Sequence, residues 1–179
     1  MKSWVYFLKL LRDLLDDMIA YFEGREQLPT PQLSIDASRQ SPNQSARDDV
    51  PLDTIVLHNT DGRISGSIDH FLKSSSEVSA HYLVGRDGAV YRMVPEHRKA
   101  WHARQENSRS IGIELEAYKG AEGMTQIQEQ MLTLLIADIK SRHSINRIIP
   151  HRAVVNTDCP KWIWPTDESF QAWLEDNEL

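Results

Sequence analysis

The sequence predicts an α/β fold in which a central mixed β-sheet is flanked by helices and preceded by an N-terminal helical extension. Short apolar runs rich in β-branched residues alternate along the chain with amphipathic helical patterns, which is typical of a sheet covered by helices. An Asp87-Gly88 turn between two such runs adds an antiparallel hairpin, so the sheet is expected to be mixed. Hydrophobic residues make up 40% of the 179 positions, enough to build a sizeable core.

The extension is predicted over residues 1–23 as an amphipathic helix that ends at Gly24. Its apolar residues alternate in spacings of four and three and so form a narrow seam: Trp4, Leu8, Leu11, Leu15, Met18 and Phe22. The seam fits docking on the following domain, self-association, binding of a partner protein or attachment to a membrane surface. Charged residues interrupt the apolar run from Lys9 onward, so neither a standard signal peptide nor a transmembrane span is predicted.

Residues 24–50 are predicted to be a linker or an extended arm, because prolines lie among polar residues without any apolar periodicity. Residues 51–179 are expected to form the main domain. Its predicted elements are a strand at 54–58, a helix at 67–74, a hairpin of 81–84 with 89–94, a strand at 110–116, a helix from 125 to about 143, a strand at 148–150 and a final helix after Thr166.

Local signals support the later elements of this domain. Apolar residues alternate with polar ones along the strand at 110–116, and Glu114 and Glu116 are expected on its second face. Thr125 is a predicted N-cap, and Gln128 completes a capping box. The core stripe of that helix is predicted to be Ile127, Met131, Leu134, Leu135 and Ile139. The final helix is predicted to bury Phe170, Trp173 and Leu174.

Charge and cysteine content exclude several classes of protein. A formal net charge of −6 argues against sequence-independent binding of nucleic acid, which needs a cationic surface, and against simple electrostatic adhesion to anionic membranes. The single cysteine, Cys159, excludes an internal disulfide. A lone cysteine is usually a small buried apolar residue, so its neighbours decide whether it has another role.

Three side chains are predicted to converge as a metal site. His58 and His151 each follow an apolar strand, and the loop after His151 returns Cys159 to the same neighbourhood. Two imidazoles and a thiolate would fill three corners of a tetrahedron and leave the fourth for water, which is typical of catalytic zinc. Asp158 competes with Cys159 as the third ligand, although a thiolate is the better zinc donor. Glu114 could serve as the proton shuttle, although such a residue is usually an exposed carboxylate.

These residues belong to a longer set of motifs that resembles the peptidoglycan amidase superfamily, which contains the zinc N-acetylmuramoyl-L-alanine amidases and the peptidoglycan recognition proteins. The resemblance covers roughly residues 51–165. The motifs, in the order of the family, are His58-Asn59-Thr60; Ser79-Ala80-His81-Tyr82-Leu83-Val84 with Arg86-Asp87-Gly88; Ala100-Trp101-His102-Ala103; Asn107-Ser108-Arg109-Ser110-Ile111-Gly112-Ile113-Glu114-Leu115-Glu116; and His151-Arg152 with Thr157-Asp158-Cys159-Pro160.

The resemblance implies one zinc ion per chain, with His58, His151 and Cys159 as its ligands. It implies that Glu114 is the catalytic glutamate and that Thr157 helps to hold the oxyanion by a hydrogen bond. Phage members carry a tyrosine where this chain has Ala80, so Glu114 is the stronger proton-transfer candidate; Lys161 replaces a glycine of the family. We add five candidate substrate-binding residues: Asn59, Trp101, His102, Asn107 and His81, the last of which is equally compatible with a structural hydrogen bond.

The function that follows from the resemblance is zinc-dependent hydrolysis of the amide bond between N-acetylmuramic acid and L-alanine, with peptidoglycan or a muropeptide as substrate. Two alternatives stay open: a recognition module that binds peptidoglycan without cutting it, and the same amidase delivered as an interbacterial toxin with an immunity partner. Localisation is open between the cytoplasm, release by lysis and export by a specialised system to the cell wall.

Overall fold

Six strands of the central sheet and one separate pair are described in the computed structural model, which describes Arg12, Leu15 and residues 31–179. The strands are β1 Ile35–Asp36, β2 Gln44–Ala46, β3 Thr54–Asn59, β4 Tyr82–Val84, β5 Val90–Arg92, β6 Arg98–Ala100, β7 Ser110–Leu115 and β8 Arg147–Pro150. The sheet has the order β1-β5-β4-β7-β3-β8, while β2 pairs with β6. Strands β4, β7, β3 and β8 are parallel neighbours, and β4 and β5 form the predicted antiparallel hairpin, so the mixed sheet is confirmed.

Helices cover both faces of this sheet. They are α1 Ile64–Leu72, α2 Gln126–Arg142 and α3 Asp167–Asp176. Successive side chains of a strand point to opposite faces, and β4 shows this clearly. Tyr82 and Val84 pack in the main core with α2 and α3, whereas Leu83 packs in a second core with Ile68 and Phe71 of α1. The sheet is therefore buried on both faces, as parallel sheets usually are.

Helix α1 begins at Ile64, three residues before the predicted start. Its N-cap residue, Arg63, makes no side-chain capping bond. Instead, the carboxylate of Glu116 accepts the backbone N–H of Ile64 at 3.2 Å and that of Arg86 at 3.0 Å. A capping group supplied from a distant strand gives no local sequence signal. Glu116 is buried in this role.

Helix α2 confirms its predicted N-cap but corrects its predicted core stripe. Thr125 accepts the backbone N–H of Gln128, whose side chain turns inward to the carbonyls of Val84 and Glu116 instead of closing a capping box. Ile127 and Leu134 are each 36% exposed. The buried residues of this helix are Gln128, Met131, Leu132, Leu135, Ile136 and Ile139.

Residues 31–50 run as an extended arm over the rest of the domain. Strand β1 adds to the sheet edge beside β5, and β2 pairs with β6. Between them, Ser41 and Asn43 are buried and bond to the carbonyl of Phe71 at the end of α1. Residues 31–179 therefore form one compact unit that includes the arm.

The predicted seam helix at residues 1–23 lies outside the described residues except for Arg12 and Leu15, which are helical. No helix within the described parts of the chain is long and apolar enough to cross a membrane.

Candidate active site

Parallel pairing brings a histidine and a glutamate side by side at one edge of the sheet. In the register of β3 with β7, His58 is opposite Glu114. Strand β8 lies on the other side of β3 and ends at Pro150, immediately before His151. Groups at the carboxyl ends of neighbouring parallel strands meet at the same edge, where such sheets commonly bind ligands.

The loop after His151 returns Cys159 to this edge. The donor atoms of His58, His151 and Cys159 all lie within 4.8 Å of one another, and the two imidazole centroids are 4.3 Å apart. The backbone N–H of Asn59 donates to Cys159 Sγ at 3.4 Å, and that of Arg152 donates to the Cys159 carbonyl at 2.9 Å. These bonds fix the loop against the end of β3.

Asp158, the alternative third ligand, turns to solvent. Its carboxylate pairs with Lys161 Nζ at 2.8 Å, and its side chain is 70% exposed. Of the two donors weighed from the sequence, the geometry therefore favours Cys159.

The chemistry of the three donors fits a bound cation. Burial, helped by the neighbouring His151, lowers the pKa of His58 well below its usual value, so the imidazole is held in the neutral, ligating form. Burial raises the pKa of Cys159 to about 12, so a thiolate there requires a nearby positive charge. Two imidazole nitrogens and one sulfur are the donor set that zinc prefers.

Glu114 completes this constellation with a carboxylate oxygen that has no partner. Its Oε1 lies 4.0 Å from His58 Nδ1, while its Oε2 is buried without a hydrogen bond among the described residues. Burial raises the pKa of Glu114 to about 8, with the negative charge of Asp61 adding to the effect. A carboxyl group with such a pKa can both take up and release a proton near neutral pH.

Thr157 lies on the loop two residues before the cysteine. Its Oγ1 accepts the backbone N–H of Cys159 at 3.3 Å, which orients the hydroxyl at the edge of the donor cluster. A hydroxyl that accepts one bond still has its own hydrogen to donate. Contact between Thr157 and substrate stays a prediction.

Asn59 and Asn107 use their side-chain carbonyls within the protein. Asn59 Oδ1 accepts the backbone N–H of Trp162 at 3.3 Å, which ties the end of β3 to the cysteine loop. Asn107 Oδ1 accepts the backbone N–H groups of His102 and Ala103 at 3.0 and 2.6 Å. Substrate contact by either residue stays a prediction, and both have a structural role.

His81 is fully buried, which favours the structural one of its two predicted roles. Its Nδ1 accepts the backbone N–H of Gly112 at 3.0 Å, and its Nε2 lies 3.1 Å from the carbonyl of Arg98. Burial, with the charge of Arg47, lowers the pKa of His81 to about 3, so its ring is neutral. His81 thus joins β7 to β6 beneath the donors.

Trp101 and His102 occupy different parts of the site. Trp101 is half-buried and its Nε1 donates to Ser45 Oγ on the arm at 3.2 Å, so its contact with substrate stays a prediction. The ring of His102, by contrast, stands directly behind the donors, with its Nδ1 3.0 Å from His58 Nε2.

Arg47 supports the site structurally, although no sequence pattern selects it. Its guanidinium donates to four backbone carbonyls, at 2.7–3.0 Å, those of Glu96, Asn107, Ser108 and Ser110. Burial lowers its pKa to about 10. A single arginine in a polar arm has no local pattern that could have marked it.

Asp61 and Trp162, which the sequence analysis did not select, contact each other at the end of β3. Asp61 has a left-handed backbone (φ 57°) in the turn after β3, and its carboxylate accepts the indole N–H of Trp162. Lys161 lies over the same indole ring, 4.9 Å from its centroid. The Asp61-Gly62 turn was visible in the sequence, but its partner is a hundred residues away.

A cavity of about 360 Å³ opens beside Glu114. The end of β3 contributes Thr60 to its wall, and α1 and its N-cap contribute Arg63 and His70. The site therefore has open volume next to the proposed proton shuttle, bordered by a positively charged side chain.

Comparisons with known proteins find similarity to one family. The sequence profile of the N-acetylmuramoyl-L-alanine amidase family matches residues 48–162. N-acetylmuramoyl-L-alanine amidase A of Achromobacter lyticus is 44% identical over 61 residues, covering 34% of this chain and 34% of that protein. N-acetylmuramoyl-L-alanine amidase XlyA of Bacillus subtilis (strain 168) is 26% identical over 130 residues, covering 67% of this chain. The chain spans only 34% and 43% of the lengths of these two curated relatives.

A solved structure confirms the predicted fold class. N-acetylmuramoyl-L-alanine amidase LysC from Clostridium intestinale URNW superposes with a TM-score of 0.66 at 25% sequence identity. The match covers 84% of this chain and 99% of that one, so the likeness extends over nearly the whole of that solved chain.

Proposed function

This chain belongs to the N-acetylmuramoyl-L-alanine amidase family, and we propose that it uses one zinc ion to hydrolyse the amide bond between N-acetylmuramic acid and L-alanine. The substrate is peptidoglycan or a soluble muropeptide. The observation that carries the proposal is the juxtaposition of three metal donors with the unpartnered carboxylate oxygen of Glu114. A zinc hydrolase requires both a place for the metal and a base beside it.

His58, His151 and Cys159 would hold the ion. When bound, zinc supplies a Lewis acid that polarises a carbonyl oxygen and acidifies an attacking water. The two imidazoles offer nitrogen donors in their neutral form, and the Asn59 N–H bond to Cys159 Sγ stabilises negative charge on the sulfur.

Glu114 moves the proton in this proposal. It takes a proton from the water that attacks the amide carbonyl and later delivers a proton to the leaving amine of L-alanine. Burial has already raised its pKa to about 8, and such a shift is characteristic of a general acid–base residue working near neutral pH.

Thr157 stabilises the tetrahedral oxyanion by donating its hydroxyl hydrogen. Its position is fixed because its oxygen already accepts the backbone N–H of Cys159. A neutral donor contributes through a directed hydrogen bond, so removing it should lower the rate and leave the metal in place.

Digestion of purified peptidoglycan tests the proposal. The full-length protein is incubated with substrate, with a chelator, and with chelator followed by zinc, and the products are identified by mass spectrometry. We expect free stem peptides that begin with L-alanine, only when metal is present. Cys159→Ala should lose both zinc and activity, whereas Asp158→Ala, the matched control, should bind one zinc per chain.

Two results would overturn the proposal. Binding to peptidoglycan without any cleavage would instead support a recognition module, the alternative function. Cleavage that is unaffected by the chelator would show that hydrolysis does not depend on the three donors.

A further inference from the structure

We infer that His102 is a positioning residue of the metal site: it accepts a hydrogen bond from His58 Nε2 and so leaves His58 Nδ1 as the nitrogen that binds the metal. This inference rests on the proposed function, since it concerns the same zinc site, and it gives His102 a role other than contact with substrate.

The hydrogen bonds of His102 run in a series from the backbone carbonyl of Glu106 through Ser110 and His102 to His58. The carbonyl fixes which atom donates in each bond of this series. Ser110 Oγ lies 2.6 Å from the backbone carbonyl of Glu106, which can only accept, so the hydroxyl hydrogen of Ser110 is committed to it. His102 Nε2 lies 3.2 Å from the same Ser110 oxygen. Because that oxygen has no second hydrogen to give, His102 Nε2 must carry the proton and donate.

The same logic fixes the next pair. A neutral imidazole has one protonated and one unprotonated nitrogen, so His102 Nδ1 is the acceptor. It stands 3.0 Å from His58 Nε2, which must therefore carry its own hydrogen and donate it. The free lone pair of His58 is then on Nδ1, the nitrogen that faces Glu114 Oε1 at 4.0 Å. The unshared nitrogen of His58 therefore faces the buried carboxylate of Glu114.

The surrounding backbone is built to hold the ring of His102 in this place. Asn107 accepts the backbone N–H of His102 at 3.0 Å and fixes its main chain. Gly112 leaves space for the ring, because a Cβ at that position would lie 2.6 Å from His102 Cγ and Nδ1. Metal-binding histidines usually donate their second nitrogen to an acceptor that fixes the tautomer and raises the basicity of the ligand. In this chain the acceptor is an imidazole.

Zinc affinity of full-length variants tests the inference. His102→Leu removes the acceptor, and we expect zinc binding to weaken by about 10- to 100-fold, the usual cost of losing such a partner. In His102→Asn, the amide oxygen can occupy the position of Nδ1, so most of the affinity should return. Ser110→Ala removes only the outer contact and should weaken binding less than His102→Leu. Affinity is measured by competition with a chromophoric chelator, and the melting temperature of each metal-free variant is recorded.

Equal zinc affinity of His102→Leu and His102→Asn would overturn the inference. If the ring of His102 only filled space, the acceptor oxygen of asparagine would bring no gain in zinc affinity over leucine. Failure of the proposed function looks different: the unaltered protein would then bind no zinc, or would bind it without cleaving peptidoglycan. If both His102 variants melt far below the unaltered protein, Ser110→Ala gives the deciding comparison, and unchanged zinc affinity in it would contradict the chain of hydrogen bonds.

Discussion

A single added methyl group, in Gly112→Ala, should weaken zinc binding without touching a ligand. Gly112 is buried in the middle of β7, and its backbone has no positive φ that would exclude alanine. The new Cβ would lie 2.6 Å from two atoms of the His102 ring. To restore an ordinary carbon contact of about 3.5 Å, the ring must move by about 0.9 Å.

The expected effects follow from that displacement. A shift of this size along the 3.0 Å contact would take His102 Nδ1 beyond hydrogen-bonding distance of His58 Nε2. Overpacking of a core position costs about 1–3 kcal/mol, and loss of the outer partner should weaken zinc affinity about 10- to 100-fold. At a fixed zinc concentration well above Kd, a 100-fold weaker affinity removes about 2.7 kcal/mol of the stabilisation that zinc confers.

Thermal unfolding with and without zinc separates the two effects. The melting temperature of metal-free Gly112→Ala should fall by about 2–4 °C for each kcal/mol lost, and its increase on addition of zinc should be smaller than that of the unaltered protein. Gly66→Ala is the matched control, since its Cβ meets nothing within 4 Å and the change lies within α1. If Gly112→Ala gains as much stability from zinc as the unaltered protein, then the close contact does not govern the metal site.

Other side chains give further expectations. Arg47→Met should lower the free energy of unfolding by at least about 3 kcal/mol, because four backbone carbonyls lose their donor. The control, Arg39→Met on the exposed part of the arm, should change it by less than about 0.5 kcal/mol. Chemical denaturation measures both values. Burial alone would raise the pKa of Glu96, but hydrogen bonds with Arg142, Tyr82 and His143 outweigh it and lower the pKa to about 2. Glu96→Gln should therefore lower the free energy of unfolding by up to about 3 kcal/mol above pH 4.5, and this loss should disappear as the pH falls towards 2. A loss that stays constant in chemical denaturation from pH 6 to 2.5 would contradict this prediction. Glu114→Gln should bind zinc at one ion per chain but hydrolyse muropeptide about 10²- to 10⁴-fold more slowly, and near-normal turnover would remove it as the base. Thr157→Val should lower kcat by about 10²-fold with little change in KM, and a change confined to KM would indicate a binding role instead.

The arm changes an expectation about where the folding unit begins. From sequence, residues 24–50 are predicted to be a linker or an extended arm, and the main domain is expected to begin at residue 51. The structure places Arg47 and Asn43 of this arm in partly buried hydrogen bonds with the rest of the unit. A truncated chain that begins at residue 31 should therefore keep its melting temperature better than one that begins at residue 51.

Several features could be read from the sequence because their cause is local. The β-branched runs, the Asp-Gly turn and the cap at Thr125 act over a few residues, and the structure confirms each of them. The stripe of α2 was predicted with the wrong members. Its buried residues do follow a helical spacing of three and four, but they include the polar Gln128, whose side chain donates to the carbonyls of Val84 and Glu116. Ile127 and Leu134 lie beside this stripe and are partly exposed.

The identity and order of the candidate donors can be predicted without a structure, because His58, His151, Cys159 and Glu114 stand in motifs whose spacing is visible along the chain. Their mutual arrangement follows only from the folded chain. The register of β3 with β7 sets His58 opposite Glu114, and the hydrogen bonds through His102 choose the nitrogen of His58 that remains free. The physical reason is that tautomer, burial and pKa depend on atoms distant in sequence, and these meet only when the strands pair.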